Sequence, residues 1–165
     1  MTEDEAVRVL GGDDADAAAR AASVLWEMWH VSGSPEIDKV LRRGIEAMER
    51  GDLLAAEALF TDIIRRAPDY AEGWNKRATA RYLSGNPAAA VADCEEVLAR
   101  KPHHFGALSG QGLCHMALGQ HKEAADLFRR TLVVYPHLEA ARRNLAAALG
   151  ELIKGNGHTP QATQS

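Results

Sequence analysis

Pro68, Pro102 and Pro136 stand 34 residues apart. Gly51, Gly85 and Gly119 keep the same interval, as do Ala56, Ala90 and Ala124. Small residues recur at Gly44, Ala78 and Gly112, and aliphatic ones at Ile64, Leu98 and Leu132. A unit of this length is one supersecondary element that cannot bury its own apolar face. The period therefore restricts the chain to architectures in which like units stack.

The inside of one period says what the unit is. In unit two, residues 71–104, Trp74, Ala78 and Tyr82 fall at i, i+4 and i+8, one stripe of a helix. Gly85 suits a left-handed helix end, and Asn86-Pro87 reads as an N-cap followed by proline at the first helical position. Ala90, Val91, Cys94, Val97 and Leu98 form the apolar stripe of a second helix, which Pro102 ends. Unit one, residues 37–70, repeats the plan with Val40, Gly44, Ala47 and Met48, then Ala56, Phe60, Ile63 and Ile64. Unit three, residues 105–138, does so with Leu108, Gly112 and Met116, then Ala124, Phe128 and Leu132. Small residues at 78 and 90 let antiparallel helices approach closely. Asp69 and Glu72 have the spacing of a capping box. A composition that is 46% hydrophobic but only 5% aromatic favours helices throughout.

These residues resemble the tetratricopeptide repeat (TPR) family, whose signature places Trp, Gly or Ala, Tyr, Gly, Ala, Phe and Pro at fixed offsets in 34 residues. Unit two carries Trp74, Ala78, Gly85, Ala90 and Pro102 at matching positions. AEGWNKRAT and HFGALSGQGL are similar to stretches of small bacterial-type members. The resemblance implies an all-α fold, an α-α superhelix of three helix-turn-helix repeats. An N-terminal helix (13–33) would precede it and a capping helix (139–153) would close it. It also implies a concave groove lined by the first helices. The matching groove positions are Leu41, Ile45 and Met48, then Asn75, Lys76, Thr79 and Tyr82, then Ser109, Leu113 and Met116. Asp38 and Glu72 share those helix faces. An apolar lining edged by amide and methionine suits a peptide or helix with apolar anchors.

Two departures from the family matter. Its usual leucine before the small residue is replaced by Arg43, Arg77 and Gln111, and Asp93 is the expected partner of Arg77. Arg81 and His115 occupy the tyrosine column. The family's cation clamp for C-terminal carboxylates does not carry over. Leu41, Gly106 and Gly110 hold its cation positions, with Lys76 and Asn75 as remnants. No tight recognition of acidic chaperone tails is expected.

Before the repeats, Asp14 or Asp16 can start a helix carrying Trp26, Trp29 and His30 on one face, broken by Ser32-Gly33-Ser34-Pro35. Two tryptophans there are expected to cover the exposed side of unit one. The alternatives are a partner or self-association surface, or a helix lying in the groove. Residues 1–12 read as a flexible acidic tail and 154–165 as a disordered one.

Other chemistries find little support. Residues 1–19 carry six acids against Arg8 alone, and the remainder is near neutral, so no electrostatic footprint for nucleic acid appears. Ser109 has no triad partners at a suggestive spacing, and Gly106 to Gly112 lacks the strand and lysine of a phosphate loop. His103, His104 and His137 fall at inter-repeat corners. Cys94 and Cys114 read as free buried thiols that approach each other in the core. No catalytic residue, metal, cofactor or membrane insertion is expected. The chain reads as a soluble cytoplasmic adaptor or scaffold for a protein or peptide partner, and a removed targeting segment would leave the same picture. Alternatives are a weakly self-associating structural subunit using Trp26 and Trp29, and a co-chaperone or assembly factor.

Overall fold

A computed structural model describes residues 1–156, which form nine helices and, among the described residues, no strand. They are α1 (Glu3–Leu10), α2 (Ala15–Trp29), α3 (Pro35–Glu49), α4 (Leu53–Arg66), α5 (Ala71–Leu83), α6 (Pro87–Arg100), α7 (Phe105–Ala117), α8 (His121–Val134) and α9 (Glu139–Asn156). From α3 onward each helix packs on the next, giving three helical hairpins and a final helix.

The repeated residues do local work. Gly51, Gly85 and Gly119 sit at φ near +80°, +82° and +72°, where a side chain would be strained. Asp52 and Asn86 cap the second helices by accepting from Ala55 and Ala89 amides. Ser34 caps α3 ahead of Pro35. Glu72 does not cap. Tyr70 stands at the N-cap of α5 without a side-chain bond, and the Glu72 carboxylate is engaged with His104 instead.

The packing layers repeat as well, with one exchange. In unit one Phe60 fills the space over Gly44, where a Cβ would fall 2.3 Å from the ring, and packs in one cluster with Ala80 of the next unit. In unit three Phe128 does the same over Gly112, at 2.6 Å, in a cluster with Ala148. Unit two puts Ala78, Cys94 and Cys114 in those three places. The added methyl and the lost ring compensate each other. Cys94→Phe alone is therefore expected to cost about 1–3 kcal/mol through overpacking on Ala78. Adding Ala78→Gly should recover at least about 1 kcal/mol of that, seen as coupling in a double-mutant cycle of urea denaturation. Additivity within about 0.5 kcal/mol would mean the three columns are not structurally equivalent.

Unit two also carries a polar layer. Asp93 is 2% exposed and accepts from Arg77 Nε and Nη2 at 3.0 and 2.8 Å and from Arg81 Nη1 at 3.1 Å. Arg81 Nε reaches Glu57 at 2.8 Å. Three hydrogen bonds to one buried carboxylate supply what its desolvation requires.

The N-terminal region departs from the sequence expectation in two ways. Residues 3–10 form α1 rather than a flexible tail, with a capping box between Thr2 and Glu5 and with Ala6 and Leu10 buried. Glu3, Asp4 and Glu5 occupy its first turn, so the acidic stretch favours the helix instead of solvating a tail. The α1–α2 hairpin also does not cover unit one. Its core joins Leu10, Leu25 and Trp29 to Phe105 and Tyr135, at the corner of units two and three, and no residue of unit one belongs to that cluster. Phe105, Tyr135 and the His104 ring give the hairpin an apolar and stacking surface there, and Lys101 gives Glu3 a partner. At the other end, α9 continues through Asn156, so residues 154–156 are helical rather than part of a disordered tail. The rest of that expectation, residues 157–165, lies outside the described residues.

Candidate functional site

α5, α6 and α7 enclose an open apolar cavity of about 260 Å3. Asn75, Ala78, Thr79, Tyr82 and Leu83 line it from α5, Gly106, Gly110, Leu113 and Cys114 from α7, and Cys94 from α6. A Cβ at Gly110 would meet nothing within 4 Å, so the cavity opens along α7 there. Tyr82 and Leu83 are exposed at its rim. The exchange of phenylalanine for Cys94 places a shorter side chain in its wall.

Of the ten groove positions expected from the sequence, four meet at this cavity: Asn75, Thr79, Tyr82 and Leu113. Leu41 is 2% exposed within the unit-one core, and Ile45 and Met48 pack against that core. Leu113 and Met116 also pack on the α8–α9 cluster. Ser109 is half-buried on α7. Lys76 lies over the Trp26 ring, its ammonium 5.7 Å from the centroid.

Trp26 adjoins the cavity at Gly106. Its Cζ2–Cη2 edge rests on Gly106, where a Cβ would come within 2.6 Å of the ring. Trp29 lies deeper, stacked on His104 at 4.1 Å, with its indole N–H donating to Glu3 at 2.9 Å. Glu3 in turn receives Lys101 at 2.7 Å, and His137 Nε2 donates to the Gly12 carbonyl at 3.0 Å. The hairpin is thus fastened by stacking and by charge-assisted hydrogen bonds at several points.

Beneath it sits a pair that the corner reading of the histidines missed. His104 and Glu72 are both fully buried, with Nε2 and Oε1 2.7 Å apart. His104 Nδ1 accepts the Ala107 amide at 3.0 Å, so Nε2 bears the proton and donates it to Glu72. Asn75 Nδ2 lies 3.3 Å from both Glu72 oxygens. Burial pushes the Glu72 carboxyl up, but the bonds from His104 and Asn75 and the charge of Lys76 outweigh it and hold the group below its ordinary value. The available signal was that unit two alone joins an acid at its second position to a histidine at its last. Among the described residues no three His, Cys, Asp or Glu side chains converge to hold a metal ion. None of the described helices is long and apolar enough to cross a membrane.

The repeat layout matches a known family model, described as tetratricopeptide repeat, over residues 41–104 and 75–137. The chain belongs to the tetratricopeptide repeat family. A TPR repeat-containing protein of Rhizobium etli is 34% identical over 143 residues, covering 87% of this chain and 70% of that one. Among solved structures, the Sgt2 TPR domain from Aspergillus fumigatus is similar with a TM-score of 0.73 and 25% identity, covering 80% of this chain and 89% of that one. The first TPR domain of Spaghetti (RPAP3), solved bound to the HSP90 peptide SRMEEVD, is similar with a TM-score of 0.71 and 23% identity. It covers 75% of this chain and 98% of that one. The all-α superhelix expected from the sequence is thus the fold of this TPR chain.

Proposed function

We propose that this TPR chain is a protein-interaction module that takes an apolar segment of a partner polypeptide in the α5–α7 part of its groove. The open apolar cavity edged by Asn75 and Thr79 carries the reading. An apolar anchor fills the cavity, while the Thr79 hydroxyl, whose proton goes to the Asn75 carbonyl, keeps lone pairs to accept from a peptide N–H. The indoles that self-association through α2 would need are spent within the chain: Trp29 is 2% exposed and Trp26 is packed on Gly106.

A co-chaperone role of the clamp type is less well supported. The Spaghetti domain was solved with an HSP90 peptide, but here the clamp positions hold a buried Leu41, a Gly106 lying under Trp26, and Gly110. Lys76 faces the Trp26 ring rather than open groove.

One experiment separates these readings. Gly110→Arg adds a long helix-favouring side chain at the cavity, where a Cβ meets nothing within 4 Å. The variant should keep its unfolding midpoint and lose the partners that the wild type captures from cell extract by crosslinking. Retention of every partner by the folded variant would sink the groove assignment. In parallel, labelled SRMEEVD should show no saturable anisotropy change up to roughly millimolar concentration, which corresponds to binding weaker than about −4 kcal/mol.

A further inference from the structure

The layer that holds a phenyl ring in units one and three holds two sulfur atoms in unit two. Cys94 on α6 and Cys114 on α7 are both free, both 2% exposed, and members of one small cluster with Ala78 and Ala90. Their columns correspond to Phe60 and Ala80 of unit one, which likewise share one cluster. Buried cysteines are ordinarily inert because nothing reaches them. These two differ, since both form part of the wall of the open 260 Å3 cavity. That volume holds several water molecules, at about 30 Å3 each, and so admits a small polar solute.

We propose that Cys94 and Cys114 form an oxidisable dithiol at the floor of the groove, which a hydroperoxide converts to an intrachain disulfide joining α6 to α7. Either thiol can make the first attack, and Cys114 serves as the example. As a thiolate it bonds to one peroxide oxygen, the O–O bond breaks, and the departing alkoxide takes up the proton that Cys114 released. The product is a sulfenic acid on Cys114 and an alcohol, or water from hydrogen peroxide. Cys94 sulfur then attacks Cys114 sulfur, the S–O bond breaks, and hydroxide leaves with the Cys94 proton as water. Two thiols have lost two electrons and two hydrogens, and one peroxide has been reduced. The inference does not depend on which partner the groove takes, because it concerns its floor alone.

The test is oxidation of the full chain with dilute hydrogen peroxide, followed by thiol titration and peptide mass spectrometry without reductant. Both thiols should disappear together, with a mass loss of two hydrogens and a Cys94–Cys114 linked peptide, and dithiothreitol should restore both. The Cys94→Ser and Cys114→Ser variants, each left with one thiol, should give a dimedone adduct on the remaining cysteine. Survival of both thiols would overturn the proposal. So would accumulation of sulfinic acid on one cysteine in the wild type, or a disulfide between two chains.

Discussion

Trp29→Ala is expected to free the N-terminal hairpin at a cost of about 3–5 kcal/mol. The indole is 2% exposed, stacks on His104 and donates to Glu3, which also holds Lys101. Its removal takes away the largest apolar surface at the docking site and one of two donors on a partly buried carboxylate. Because stacked repeats transmit stability mainly to neighbours, the loss should be local. Hydrogen exchange should accelerate in residues 3–29, and α3 and α4 should keep their protection. A denaturation midpoint within experimental error of wild type, with unchanged exchange in α1 and α2, would show that the hairpin is not held by this indole.

His104→Leu should have a comparable effect with a pH signature. The variant leaves Glu72 fully buried with the long Asn75 bonds but without its short His104 bond, a loss of about 3–5 kcal/mol at neutral pH. In the wild type the Glu72 carboxyl lies below its ordinary value of 4.5 in the folded state. Its contribution is therefore fully present above that ordinary value and is lost as pH falls through the lower folded value. Without His104 burial dominates, and the folded carboxyl should rise above its ordinary value. The variant's penalty then grows as pH rises through the carboxylate range and shrinks on acidification. Urea denaturation from acid to neutral pH should show the two stability curves converging at low pH. Parallel curves would mean that the Glu72–His104 pair is not what the substitution broke. Replacing both residues by leucine should cost less than His104→Leu alone, because no buried carboxylate remains.

Much of the candidate site is legible in the 34-residue period. Asn75, Thr79, Tyr82 and Leu113, which line the cavity, can be placed on one side of the repeats because position within the period fixes the helix face. The Cys94 exchange is legible too, since Phe60 and Phe128 stand 34 residues to either side, but its consequence is not. Whether a lost ring leaves a cavity depends on how far Ala78 and Cys114 close over it. Leu41 shows the opposite failure. Its column is shared with Asn75, which lines the cavity, yet the Leu41 side chain is buried in unit one.

The sequence by itself determined the units, their turns and their stacking order, because each rests on local chemistry repeated at one interval. Glycines stand where φ must be positive, Asp52 and Asn86 cap second helices, and small residues sit where helices cross. Only the tertiary structure decided where the α1–α2 hairpin docks and that Glu72 and His104 meet beneath it. Those contacts join residues that no repeat interval relates, such as Glu3 with Lys101 and Gly12 with His137. An amphipathic hairpin carries no register that names its partner surface. Shape, a stacking ring and a free donor at the corner of units two and three select it, and these exist together only once the repeats have stacked.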